Sequence, residues 1–133
     1  MGRPAAKYGD QVIATDVHIV LVPSAGGPVP TALPHTFSGV LTRGLSGNVR
    51  IMRRPAATVN SIAINRPIHI PMAPGVAFQR PPSNTGTLVN GSATVRINGK
   101  MAARSGDAAM TCNDPADVPA GTVAAVGTVR IGG

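Results

Sequence analysis

The sequence predicts an all-β fold assembled from three copies of one unit. Glycine and proline are abundant, at 16 and 13 of the 133 residues, and they interrupt the chain at short intervals. Valine is the commonest large apolar residue, whereas strong helix formers other than alanine are scarce, with two lysines and no glutamate. An internal repeat of roughly fifty residues is typical of a body built from supersecondary units. We therefore expect short strands, long ordered loops and little or no helix.

The repeated unit has a Val-Arg-Ile head and a tail that contains a tetrad of small residues. The head occurs three times, at residues 49–51, 95–97 and 129–131. The tetrad also occurs three times, at residues 4–7, 55–58 and 101–104. The first tetrad lies near the start of the chain and the third head near its end, so the C-terminal strand at residues 122–133 completes the first copy. We expect one domain, residues 1–133, closed with approximate threefold symmetry.

Local composition predicts the elements in chain order. Strands are predicted for two apolar runs, residues 11–23 and 58–70. Loops or polar turns are predicted where glycine, proline and polar residues concentrate, at residues 24–31, 71–86 and 108–119. Residues 32–40, which surround Pro34, are expected to be extended or turned.

The third tetrad carries a family resemblance. It reads Met-Ala-Ala-Arg, is followed by Ser-Gly-Asp, and is preceded by a Val-Arg-Ile-Asn-Gly strand. Together with its degenerate copies, Pro-Ala-Ala-Lys and Pro-Ala-Ala-Thr, it resembles the signature of PAAR-repeat proteins over nearly the whole chain. Those proteins are small conical tips that cap VgrG-type spike trimers in type VI secretion systems, phage tails and related contractile injection machines. The resemblance implies a pseudo-threefold cone with short strands and long ordered loops.

The resemblance also implies a mechanical function and no enzymatic activity. One chain would cap each trimeric spike, sharpen it, aid puncture of a target membrane and help to deliver effectors bound without a covalent link. No stretch of the sequence reads as a signal peptide or approaches the ~20 apolar residues of a membrane span. We therefore expect synthesis in the cytoplasm, assembly at the spike tip, and delivery out of the cell or into a target cell on firing.

A further stabilising constraint is expected because the core is poor in aromatic residues and the single cysteine has no disulfide partner. That constraint is a bound metal, docking on a partner, or both. We predict one structural Zn²⁺ per chain, held by His18, His35, His69 and Cys112. The shift that carries the first tetrad onto the second also carries His18 onto His69, with apolar neighbours on both sides. Cys112 follows the third tetrad at a slightly shorter distance, and His35 comes from an insertion in the first copy.

Four nitrogen and sulfur ligands leave no open coordination position, as in structural zinc sites. The resemblance implies the same arrangement, since PAAR tips hold a zinc ion near the vertex through histidines and a cysteine. Any one of these side chains alone is more often a buried residue without a metal. Asp10 and Asp107 occupy the same repeat position, and we predict that each closes a turn by bonding to the backbone.

A second class of function is a small basic zinc-containing module that binds polyanions or nucleic acid. The net charge of +7 and the cluster of Arg50, Arg53 and Arg54 favour that hypothesis. The other cations are scattered and aromatic residues for base stacking are nearly absent. We therefore expect no specific nucleic-acid partner.

A third class is a hydrolase. A zinc hydrolase needs one open ligand position on the metal. Cys112, a histidine and Asp16 or Asp107 could form a nucleophile triad, but no oxyanion loop is recognisable. We therefore predict no catalytic residues.

Overall fold

The computed structural model describes residues 2–133, which form strands and no helix. The predicted all-β class is therefore confirmed. No helix in this part of the chain is long and apolar enough to cross a membrane. The thirteen strands are β1 (Arg3–Pro4), β2 (Gln11–Val22), β3 (Val29–Arg43), β4 (Arg50–Ile51), β5 (Arg54–Pro55), β6 (Ile62–Asn65), β7 (Ala77–Phe78), β8 (Thr85–Leu88), β9 (Arg96–Ile97), β10 (Lys100–Met101), β11 (Ala108–Thr111), β12 (Val118–Ala124) and β13 (Arg130–Ile131).

Six strands close into one small antiparallel barrel. Their order around the barrel is β2, β3, β6, β8, β11 and β12, and β12 pairs back onto β2. Each repeat contributes two of these strands with a two-stranded hairpin between them. The hairpins are β4–β5, β9–β10 and β13–β1, the last joining the two ends of the chain. The barrel therefore has pseudo-threefold symmetry, with three hairpins at one end.

The three tetrads meet at the threefold axis through their third residues. The Ala6 amide donates to the Ala103 carbonyl at 2.9 Å, the Ala103 amide to Ala57 at 3.0 Å, and the Ala57 amide to Ala6 at 3.0 Å. We call this closed set of three hydrogen bonds the alanine ring. All three residues are fully buried. Their side chains belong to the buried apolar cluster of the barrel, so a larger side chain at any of these positions would have to displace packed neighbours.

Each tetrad is followed by the same turn. The turn residues Asp10, Ser61 and Asp107 accept hydrogen bonds from the backbone N–H of the fourth tetrad residue, at 3.0, 3.0 and 2.7 Å. The residue before each of them has a positive φ, at Gly9, Asn60 and Gly106. Glycine and asparagine tolerate that conformation best. The turn-closing hydrogen bonds predicted for Asp10 and Asp107 are therefore present.

The Phe37 side chain lies in the barrel interior, next to strand positions where the repeats have glycine. Phe37 is fully buried. Equivalent strand positions in the three repeats are occupied by Gly39, Gly86 and Gly121. A Cβ at Gly39 would lie 2.6 Å from the Phe37 ring, and one at Gly86 would lie 3.2 Å from it. The absence of side chains at Gly39 and Gly86 thus leaves room for the Phe37 ring, which fills the interior of the small barrel.

The strand bounds differ from the sequence-based expectation in several places. β7, β11 and the first residues of β8 and β12 lie in residues 71–86 and 108–119, which were predicted as loops or polar turns. These segments are strands because they pair with neighbouring strands of the sheet.

β3 includes residues 29–31, which were expected in a loop, and it contains Pro30 and Pro34. Over this stretch β3 pairs only with β2, so the prolines interrupt no second ladder. In contrast, β6 ends at Asn65, before the predicted end of that strand, because Pro67 has no N–H to continue it.

Enlarging one member of the alanine ring should destabilise the whole body. Replacing Ala103 with valine (Ala103→Val) adds two methyl groups at a fully buried position in the apolar cluster of the barrel. We expect a loss of about 1–3 kcal/mol in the free energy of unfolding, measured by urea denaturation. Ala124→Val, at an exposed strand position, is the matched control and should change stability by about 0.5 kcal/mol or less. Equal stability of the two variants would contradict this role for the ring.

Candidate metal site

Side chains with metal-ligand chemistry converge at the end of the barrel opposite the alanine ring. β2, β6 and β11 each follow one of the tetrads and run towards this cluster. Asp16 and His18 lie on β2, His35 lies on β3, His69 follows β6 and Cys112 follows β11. All five are buried, with at most 7% of their surface exposed. The residues predicted from the sequence are therefore brought together, and an aspartate is added to them.

Four of these residues are close enough together to hold a metal ion after a small adjustment. One ligand atom from each of Asp16, His18, His69 and Cys112 lies within 4.8 Å of the others. A tetrahedral zinc site with bonds of about 2.0–2.3 Å separates its ligand atoms by about 3.3–3.8 Å. An inward movement of about 1 Å would therefore complete the coordination.

His35 lies beside this set but has other partners. Its ring centre is 5.4 Å from that of His18 and 5.6 Å from that of His69. Its Nδ1 lies 2.9 Å from the Leu33 carbonyl, to which it donates, and its Nε2 accepts the Met72 amide at 3.0 Å. As a metal ligand, His35 would have to release one of these hydrogen bonds.

Asp16 is the hydrogen-bonding centre of the cluster. Its Oδ1 accepts hydrogen bonds from Thr111 at 2.6 Å and Asn113 at 3.3 Å. Its Oδ2 accepts from His69 Nε2 at 2.9 Å and from the Cys112 thiol at 3.5 Å. Asp16 was considered in the sequence only as part of a nucleophile triad. Its position two residues before His18 on one strand, and hence on the same face, is the signal that could have placed it here.

His18 indicates that the cluster lacks a component. Both of its ring nitrogens are buried and have no hydrogen-bond partner. Asp114 Oδ2 lies 3.5 Å from His18 Nδ1, outside hydrogen-bonding geometry, and that oxygen already accepts the Ile19 amide at 2.9 Å. Leaving such a group unpaired costs about 1–3 kcal/mol, and a bound ion is a common reason for it. A buried imidazole nitrogen without a hydrogen-bond partner is suited to binding a metal ion.

The electrostatics of the cluster favour a cation. Burial and the nearby His69 lower the pKa of His18, so its neutral, metal-binding form dominates. Burial also lowers the pKa of His35. Burial and the Asp16 charge raise the pKa of Cys112 to about 11, so the thiol stays protonated without a metal. A bound Zn²⁺ would offset the Asp16 charge and deprotonate the thiol.

One side of the cluster opens to a cavity of about 330 Å³ lined by His18, Cys112 and Asp114, among others. Arg80 closes part of its mouth through a 2.7 Å ion pair with Asp114. Burial alone would raise the pKa of Asp114, but the Ile19 amide and Arg80 lower it below its ordinary value. The cavity gives a metal ion a route to the donors.

A cysteine nucleophile would need a different arrangement. Cys112 donates its hydrogen bond to Asp16 and its pKa is raised, whereas an activated thiol has a neighbouring base and a lowered pKa. His69 also donates to Asp16, through Nε2, so that nitrogen does not act as a base for the thiol. The cluster is thus better suited to binding a metal than to nucleophilic attack.

Neither a protein-family model, nor a curated protein, nor a solved structure matches this chain.

Stability should fall as the pH drops from 7 to 5. In the folded state the pKa values of His18 and His35 are lowered, so both stay neutral, whereas in the unfolded chain they take up protons below pH ~6.5. The unfolded state then binds more protons, and the free energy of unfolding decreases. Metal release by protonation acts in the same direction. Urea denaturation across this range measures the effect. A flat profile would contradict the buried, neutral state of His18 and His35.

Proposed function

We propose that this chain is a zinc-stabilised conical tip of the PAAR type, which caps the trimeric spike of a contractile injection machine. The proposal has a metal part and a partner part. For the metal, the donor set of imidazoles, a thiol and a carboxylate suits Zn²⁺ better than Mg²⁺ or Ca²⁺, which prefer oxygen ligands. A structural zinc ion contributes on the order of 10 kcal/mol to folding, more than a small core poor in aromatic residues holds in reserve.

We infer that His18, His69, Cys112 and His35 are the zinc ligands. In this assignment His69 binds zinc through Nδ1, because its Nε2 donates to Asp16, which orients the ring. A carboxylate that accepts a hydrogen bond from a metal-bound histidine is a common second layer of zinc sites. For His35 to bind, Nε2 must give up the Met72 amide, a loss of about 0.5–1.5 kcal/mol. The gain from metal binding is several times larger than this cost.

Two conservative variants separate the possible fourth ligands. His35→Gln should lose most of its zinc when dialysed against a chelator, because one ligand is removed. Asp16→Asn should keep one zinc per chain, with an affinity about 10- to 100-fold weaker, because only the support of His69 is altered. Asp117→Asn, a change at an exposed carboxylate at the same end, is the control and should bind zinc normally. Loss of zinc in Asp16→Asn with retention in His35→Gln would make Asp16 the ligand instead.

For the partner, the observation that carries the proposal is the symmetry of the hairpin end. One chain presents three equivalent hairpins around an axis, a pattern that matches the end of a trimer. A trimeric β-helical spike ends in strand edges, which invite aggregation unless they are covered. A single pseudo-threefold chain can cover all three subunits with near-equivalent contacts, while the metal-bound end forms the point.

The remaining parts of the proposal follow from this role. A tip with all four metal positions filled by protein has no site for water activation, so we propose no enzymatic activity. The tip would be assembled in the cytoplasm and carried out of the cell or into a target cell on firing, with transient membrane contact. Effectors would travel with it through non-covalent contacts.

The decisive test is the stoichiometry of a complex. Mixed with the terminal β-helical fragment of a VgrG-type spike from the same organism, the chain should form a complex of one chain per trimer, as measured by native mass spectrometry. A duplex DNA of similar mass is the comparison ligand. Failure to bind the spike fragment, together with tight DNA binding that weakens steeply with salt, would instead support a polyanion-binding module.

A further inference from the structure

Three arginines occupy equivalent positions at the hairpin end. They are the central residues of the Val-Arg-Ile heads, and each is exposed: Arg50, Arg96 and Arg130. Each donates from Nη1 to a backbone carbonyl across its own hairpin, at 3.2 Å in all three cases. We call these three residues the arginine triad. The shared contact holds the three guanidinium groups in the same orientation relative to the axis.

A second set of cations repeats around the same axis. Each lies across its hairpin from the isoleucine that follows a triad arginine: Arg3, Arg54 and Lys100. These side chains are exposed as well. Six of the twelve cations of the chain thus lie at threefold-related positions at one end.

No acidic side chain neutralises the arginine triad among the described residues. Of the five aspartates in the chain, Asp10 and Asp107 are buried beneath the tetrads, where they pair with Lys7 and Arg104. The other three lie at the metal end. Asp107 also pairs with Arg3 at 3.2 Å, so the second set is partly neutralised and the triad is not. Unpaired like charges at one end disfavour the isolated chain and favour association with an acidic surface.

We propose that the hairpin end is the docking face, and that each triad arginine pairs with a carboxylate on one subunit of a threefold-symmetric protein partner. The proposal rests on the capping function and assigns the residues that carry it. With Nη1 held by the hairpin, each guanidinium still has N–H groups for an outside carboxylate. A duplex nucleic acid has no threefold axis, so its phosphates would not need three equivalent arginines.

The test uses the terminal β-helical fragment of a VgrG-type spike as the probe and measures its dissociation constant. Arg50→Gln, Arg96→Gln and Arg130→Gln should each weaken binding about tenfold, and by similar factors, because each removes one charge-assisted pair. The triple variant should lose detectable binding. Arg53→Gln is the matched control, since Arg53 is an exposed arginine in the same hairpin whose counterpart in the third copy is Gly99.

The outcomes separate this inference from the capping function. If the wild-type chain binds the fragment and the triple variant binds equally well, the arginine triad is excluded and capping stands. If only one arginine matters, threefold docking is wrong. If the wild-type chain does not bind the fragment, the capping function fails and this inference fails with it. Zinc content and circular dichroism check folding, and the single variants carry the test if the triple variant does not fold.

Discussion

The three amide hydrogen bonds of the alanine ring are the constraint on which the rest of this structure depends. Ala6, Ala57 and Ala103 come from distant parts of the chain, yet each donates to one neighbour and accepts from the other. Such a closed cycle, in which each tetrad makes the same two hydrogen bonds, relates the three tetrads by approximate threefold symmetry. It places the hairpins on one side and directs six strands to the other, where they close as a barrel.

The two ends of the barrel differ in how closely they follow that threefold symmetry. The hairpin end keeps it: the heads and turns recur three times, and the arginine triad makes the same contact in each copy. The end that carries the candidate metal site breaks it: the three repeats supply three ligand positions, whereas a tetrahedral ion would need a fourth. The long β2–β3 pair is the asymmetric element that can supply the fourth, and it carries Asp16, His18 and His35. A symmetric face suits a trimeric partner, whereas the asymmetric end suits a single ion.

Much of this architecture could be predicted because the sequence contains three copies of the same unit. The Val-Arg-Ile heads and the tetrads specified the all-β class and the way in which the C-terminal strand joins the N-terminal copy. The register that relates His18 to His69 also brought these residues to one place. Their secondary structure differs, however: His18 lies within β2, whereas His69 lies in the loop after β6, which ends at Asn65. Pattern matching relates positions along the chain but does not show where a strand ends.

Other features depended on contacts that no local pattern reveals. The prolines of β3 suggested a loop and a turn, yet they fit a strand whose second side is free over that stretch. The buried Asp16 network joins residues almost a hundred positions apart, such as Asp16 and Thr111. The unpaired nitrogens of His18 are visible only in three dimensions. These observations identify the cluster of Asp16, His18, His69 and Cys112 as a candidate metal site.

X-ray absorption at the zinc edge of the purified protein tests the central claim most directly. The account predicts about one zinc per chain with a single sulfur ligand at about 2.3 Å and nitrogen ligands at about 2.0–2.1 Å. A protein that carries no stoichiometric metal, or a zinc ion without sulfur in its coordination shell, would contradict it.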